Sequence, residues 1–102
     1  MGRPLGRALL LAGSLAIAGC GGQEAYAPEA GTSAASMFEQ GCAHCHGAQG
    51  RGKFGFLLAL QDSDLAQPDI EALIANGEGI MPAFPHLSAD QRRQLAAYVR
   101  GL

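Results

Sequence analysis

A chain of 102 residues has room for one domain. Hydrophobic residues make up 48% and charged residues 16%, which excludes a disordered acidic tail and a basic nucleic-acid-binding domain. The formal net charge is -2, and the cysteines number three, an odd count that needs an explanation for the one left over.

Residues 1–20 carry Arg3 and Arg7 and then an apolar run from Ala8 to Gly19. This is a positive n-region with an h-region of secretory length, too short to span a bilayer as a permanent helix. The run closes on Ile17-Ala18-Gly19-Cys20, which resembles the lipobox of bacterial lipoproteins. The resemblance implies a signal peptide over 1–19, cleavage before Cys20, and Cys20 as the lipid attachment site. No twin-arginine pair is present, so the general secretory route is expected. Two rivals are an ordinary signal peptide cut after Ala27, since Ala25-Tyr26-Ala27 fits the small-x-small rule, and an uncleaved anchor. All three place the domain outside the cytoplasm, lipid-anchored to a bacterial membrane and facing the periplasm in the first case, soluble in the second. Cleavage at Cys20 leaves five basic residues against nine acidic ones, near -4, which suits partners with a basic docking patch.

Residues 20–33 are small and polar and read as a flexible tether, holding the domain about 20 Å from its anchor. Such confinement raises the effective concentration for membrane-bound partners. Thr32 or Ser33 can cap a first helix. Phe38 and Cys42 lie four residues apart on one face of it.

Cys42-Ala43-His44-Cys45-His46 matches C-x-x-C-H, the signature of covalent haem attachment. Each thiol adds across a vinyl group to form a thioether, and the histidine becomes the proximal iron ligand. A thioredoxin-like redox pair would expect a βαβ context, yet no strand pattern precedes Cys42. A structural zinc site needs a second ligand pair. A plain disulfide leaves His46 unexplained. His44, between the thiols, is expected to be exposed.

Gly47 to Gly55 nearly matches a phosphate-binding loop, with Gly47, Gly52 and Lys53 in register. The match fails at Phe54, where a hydroxyl is required, and nucleotide binding is rejected. Phe54, Phe56, Leu57, Leu58 and Leu60 supply apolar surface, and Asp62-Ser63-Asp64 is a polar break. Pro68, Asp69 and Glu71 suit the first turn of a second helix with Ile70, Leu73 and Ile74 as its buried stripe. Asn76-Gly77 stops it. In the segment Gly77 to Pro85, Met81 stands before Pro82, with Phe84 and Pro85 next. A methionine usually fills a core gap, and a thioether is also a soft ligand. Ser88 and Gln91 form a capping box, after which Leu95, Tyr98, Val99 and Leu102 recur on one face of a closing helix. Arg92, Arg93 and Arg100 are expected mostly in solvent.

The haem motif and the methionine segment together resemble the small class I c-type cytochromes, over residues 34–102. The resemblance implies an all-α fold in which N- and C-terminal helices cross, with a middle helix and loops around one covalent haem c. Phe38 falls at the family's aromatic contact position, to meet Leu95 and Tyr98. Ala34 stands where members often have glycine, a mild departure. The implied site is Cys42 and Cys45 as thioether anchors, His46 as proximal and Met81 as distal iron ligand, with His86 as the rival. Members commonly place a proline whose carbonyl orients the ligating imidazole. No proline lies between Cys45 and Gln67 here, so another carbonyl, near Phe54–Phe56, is expected to serve.

The implied function is single-electron transfer between redox partners, membrane-bound respiratory or dehydrogenase complexes among them, with no catalysis. Two alternatives remain: a haem protein with an open or labile sixth site for peroxide or a gas, and a thiol redox or metal-binding module without haem. At 83 residues after processing, an apolar core alone is marginal, so the haem-free chain is expected to fold poorly.

Overall fold

The computed structural model describes residues 23–53, 55, 58–61 and 63–102. The expected signal peptide and Cys20 lie outside the described residues, as do Phe54, Phe56, Leu57 and Asp62. Among the described residues four α-helices follow one another: α1 over Ala34–Gly41, α2 over Ala43–His46, α3 over Gln67–Asn76 and α4 over Ala89–Arg100. Short 3-10 turns cover Gln23–Ala25 and Ala48–Gly50. No β-strand occurs among the described residues, in keeping with the all-α expectation.

The helices begin and end where side-chain chemistry dictates. Ser33 caps α1, its hydroxyl accepting the Ser36 N–H at 3.1 Å. An oxygen there satisfies an amide that the first turn leaves without a partner. Ser88 and Gln91 form the expected capping box on α4: the Ser88 hydroxyl accepts the Gln91 N–H, and the Gln91 side chain accepts the Ser88 N–H. Pro68 stands in the first turn of α3, and Gly77 ends it with its N–H on the Leu73 carbonyl.

Each long helix buries a stripe in one shared core. Met37 and Phe38 come from α1, Ile70 and Ile74 from α3, and Leu95, Ala96 and Val99 from α4, with Phe84 and Leu87 filling in from the loop between. The outer helices meet through the Phe38 and Tyr98 rings, whose centroids are 5.4 Å apart at a tilt of 47°. Tilted aromatic pairs of this kind add to the burial itself. The α1 stripe ends at Gly41, so the crossing of α1 with α4 sets where the cysteine turn emerges from the core.

Arg92 departs from the expectation of mostly solvated arginines, while Arg100 and the stretch read as a tether make contacts that the sequence does not show. The Arg92 guanidinium is half-buried and donates to the Leu87 carbonyl at 2.6 Å. Arg100 donates to the Ser63 and Leu65 carbonyls at 3.1 and 3.0 Å, stapling the loop before α3 onto α4. A guanidinium reaches loop carbonyls that have no helical partner, which sequence spacing does not reveal. Arg93 is exposed, paired only with Asp90 one turn earlier. In the stretch read as tether, Tyr26 is half-buried: its hydroxyl donates to Gln40 at 2.6 Å and it packs against the core.

Phe38 is fully buried at the helix crossing. Replacing it with alanine should cost about 3–5 kcal/mol of unfolding free energy in a denaturant titration of the holoprotein. A loss under about 1 kcal/mol would show that the crossing is not what holds the domain together.

Candidate functional site

Helix α1 breaks at Cys42, whose φ of -119° interrupts the run, and the chain resumes as the single turn α2. The Cys42 carbonyl accepts the N–H of both Cys45 and His46, at 3.2 and 3.0 Å. That closed turn puts the two cysteines and the histidine on one small patch of backbone. All three line a cleft shared with Gln23, Leu58, Ile80, Met81, Pro82 and Phe84. A second cavity adjoins it through Cys42, His46 and Met81 and reaches the core at Phe38 and Leu95. Their walls are overwhelmingly apolar, which suits a largely apolar cofactor.

The His46 ring is oriented from behind. Its Nδ1 lies 2.6 Å from the Leu58 carbonyl oxygen. A carbonyl can only accept, so Nδ1 carries the proton and Nε2 keeps the lone pair that a metal needs. The carbonyl partner sought near Phe54–Phe56 is therefore Leu58. Leu58 holds φ at +59°, in the left-handed region that side chains rarely adopt. Such a conformation costs about 1–2 kcal/mol and persists only where the surroundings enforce it. Here the Leu60 N–H on the Gly50 carbonyl, at 2.8 Å, holds the loop in place.

Met81 lines the same cleft. Glu78 and Met81 exchange backbone hydrogen bonds, at 3.0 and 2.9 Å, closing a tight turn. Downstream, the Phe84 N–H returns to the Ile74 carbonyl at 2.9 Å, which ties the loop to α3. Gly77 must be glycine: φ is +70°, and a Cβ there would lie 2.6 Å from the Met81 carbonyl oxygen and 2.7 Å from the Ala83 nitrogen. The rivals stand elsewhere. His44 and His86 are exposed and line neither cavity. Met37 is wholly buried in the core.

Cys42 is a free thiol. Burial, and secondarily the Glu39 carboxylate, push the Cys42 thiol up to about 11. The residues suit haem c: two sulfurs on one turn, an imidazole with its tautomer set, a thioether across the same cleft, and apolar walls. Ile80 and Leu58, 75% and 43% exposed, present apolar surface at the rim that a porphyrin would cover.

Nothing in the residue pattern marks Leu58, because a left-handed leucine looks like any other. Gln23 carries no signal either. Gly41, directly before the first cysteine, is the available hint that something packs closely there.

The Cys42 shift has a definite pH signature. The folded-state value lies above the ordinary 9.0, so the folded chain retains the proton where the unfolded chain loses it. The thiol's contribution to the stability of the haem-free chain is then fully present below pH 9 and is lost as pH rises towards about 11. Circular dichroism melts of the haem-free chain should show this decline, and a Cys42→Ala/Cys45→Ala variant should lack that component. Identical pH profiles for the two would exclude a buried, proton-retaining thiol.

Comparison with known proteins agrees with this geometry. Residues 29–99 match the family described as cytochrome C oxidase, cbb3-type, subunit III. Among solved structures, the KustC0563 c-type cytochrome superposes with a TM-score of 0.58 at 20% identity, over 69% of this chain and 96% of that one, a likeness of fold. No curated protein matches the chain. The chain thus belongs to the cbb3-type subunit III family of c-type cytochromes, whose cofactor is covalently bound haem c and whose business is haem-based electron transfer.

Proposed function

We propose that this protein is a monohaem electron carrier in which Cys42 and Cys45 hold the haem, His46 is the proximal ligand and Met81 the distal one. The observation that carries the reading is the Leu58 carbonyl on His46 Nδ1, with Met81 lining the same cleft. Bound haem supplies a one-electron Fe(III)/Fe(II) couple, and methionine–histidine ligation favours the reduced form. The chain's own residues position and insulate it. Leu58 fixes the imidazole plane, the Glu78–Met81 turn presents the sulfur, and Leu58, Ile80, Pro82 and Phe84 keep water from the ring. With His46 and Met81 both given to the iron, no coordination site would be left for a substrate, which is why we read a carrier and not an enzyme.

The carrier works, on this reading, outside the cytoplasm, with residues 1–19 removed and a lipid on Cys20. No helix among the described residues is long and apolar enough to cross a membrane. A lipid on Cys20 would confine the domain beside membrane-bound redox complexes. The family's description makes a terminal oxidase one candidate of that class. Mass spectrometry of the native protein should report a haem adduct together with an acylated Cys20. A mass beginning at Pro28 would support the soluble alternative, and a colourless protein would end the haem reading.

The sixth ligand is tested separately. Reduced wild-type protein should resist carbon monoxide at neutral pH, while Met81→Ala should bind it readily. Ready binding by the wild type would favour the gas- or peroxide-binding alternative. Gly77→Ala, by driving a Cβ into the Met81 carbonyl, should weaken the sulfur-to-iron charge-transfer band with covalent haem content unchanged. An intact band in that variant would show that the turn does not control the ligand.

A further inference from the structure

The segment ahead of α1 forms part of the haem cleft. Gln23 lines the cavity beside Gly41, Cys42, Cys45 and His46. It is held there through Tyr26, whose N–H donates to the Gln23 carbonyl at 2.9 Å. Tyr26 is in turn fastened to the attachment helix at two points. Its hydroxyl donates to the Gln40 side chain at 2.6 Å, and its ring lies flush on the backbone of Gly41, directly before the first cysteine. The fit is close. A Cβ on Gly41 would lie 2.9 Å from Tyr26 Cδ1 and 3.0 Å from Cε1, and its three nearest atoms all belong to that ring. A glycine in the last turn of a helix weakens it, and here its absent side chain is the space the tyrosine occupies.

We propose that Tyr26 is a positioning residue that pins residues 23–26 across the attachment turn, closing one wall of the haem cleft against water and raising the reduction potential. The proposal rests on Cys42, Cys45 and His46 being the attachment site. Its physical basis is the charge difference between the two oxidation states. The ferric form carries one more positive charge than the ferrous, water stabilises the more charged form, and excluding water therefore favours reduction.

The holoprotein that begins at Cys20, and so keeps Gln23 and Tyr26, provides the test. Midpoint potentials are measured for the wild type, Tyr26→Ala, Tyr26→Phe, Gly41→Ala and the Tyr26→Ala/Gly41→Ala double variant, with haem content per chain determined for each. Tyr26→Ala and Gly41→Ala should each lower the potential at unchanged haem content. The double variant should match Tyr26→Ala alone, because the ring that the added methyl would strike is then gone. Tyr26→Phe keeps the ring in place and should stay nearer the wild type than Tyr26→Ala does. An unchanged potential in Tyr26→Ala, or an equal Gly41→Ala shift in both backgrounds, overturns the proposal, as does a loss of haem with no shift in the haem that remains. Wild-type protein without covalent haem would instead refute the attachment reading. The wall would then be judged on thermal stability, which Gly41→Ala must lower only when Tyr26 is present.

Discussion

The site turns on one short hydrogen bond, His46 Nδ1 to the Leu58 carbonyl. A neutral imidazole has one donor and one acceptor, so committing Nδ1 as the donor leaves Nε2 as the only nitrogen able to ligate. The bond also stops rotation of the ring, and with it the plane in which a ligand lone pair projects. Its cost is a leucine in the left-handed region, about 1–2 kcal/mol. Just beyond that residue the loop is fastened twice, by Leu60 to Gly50 and by the Ser63 and Leu65 carbonyls to Arg100. A strained residue beside such anchors persists because its surroundings enforce it.

The helical core serves that geometry. Packing of α1 on α4 fixes the origin of the cysteine turn, and packing of α3 on α4 fixes the origin of the methionine loop. Both walls therefore refer to the same closing helix, and the distance between them is set by buried side chains such as Phe38, Ile74 and Leu95. Close-packed cores are stiff, so the Met81 loop is held in a fixed place relative to the cysteine turn.

The attachment chemistry is consistent with burial. An ionisable thiol in an apolar cleft resists losing its proton, which is the condition of Cys42. A thioether has no proton to lose. With such a bond at Cys42 the position would carry no ionisable group, and its contribution to pH dependence would disappear.

Much of this protein is legible in its sequence, because the features concerned are local. Cys42, Cys45 and His46 need only their spacing, Ser88 and Gln91 only their offset, and Phe38, Ile70 and Leu95 only helical periodicity. Tertiary structure decided what depends on chain segments far apart in sequence. The carbonyl behind His46 comes from twelve residues away, through a backbone angle that residue type does not encode. Tyr26 is one aromatic in a polar tether until Gly41 receives its ring. Arg100 is one more solvated cation until the loop before α3 presents its carbonyls. Spacing within one element is a property of covalent geometry, whereas the meeting of two elements depends on how the whole core packs.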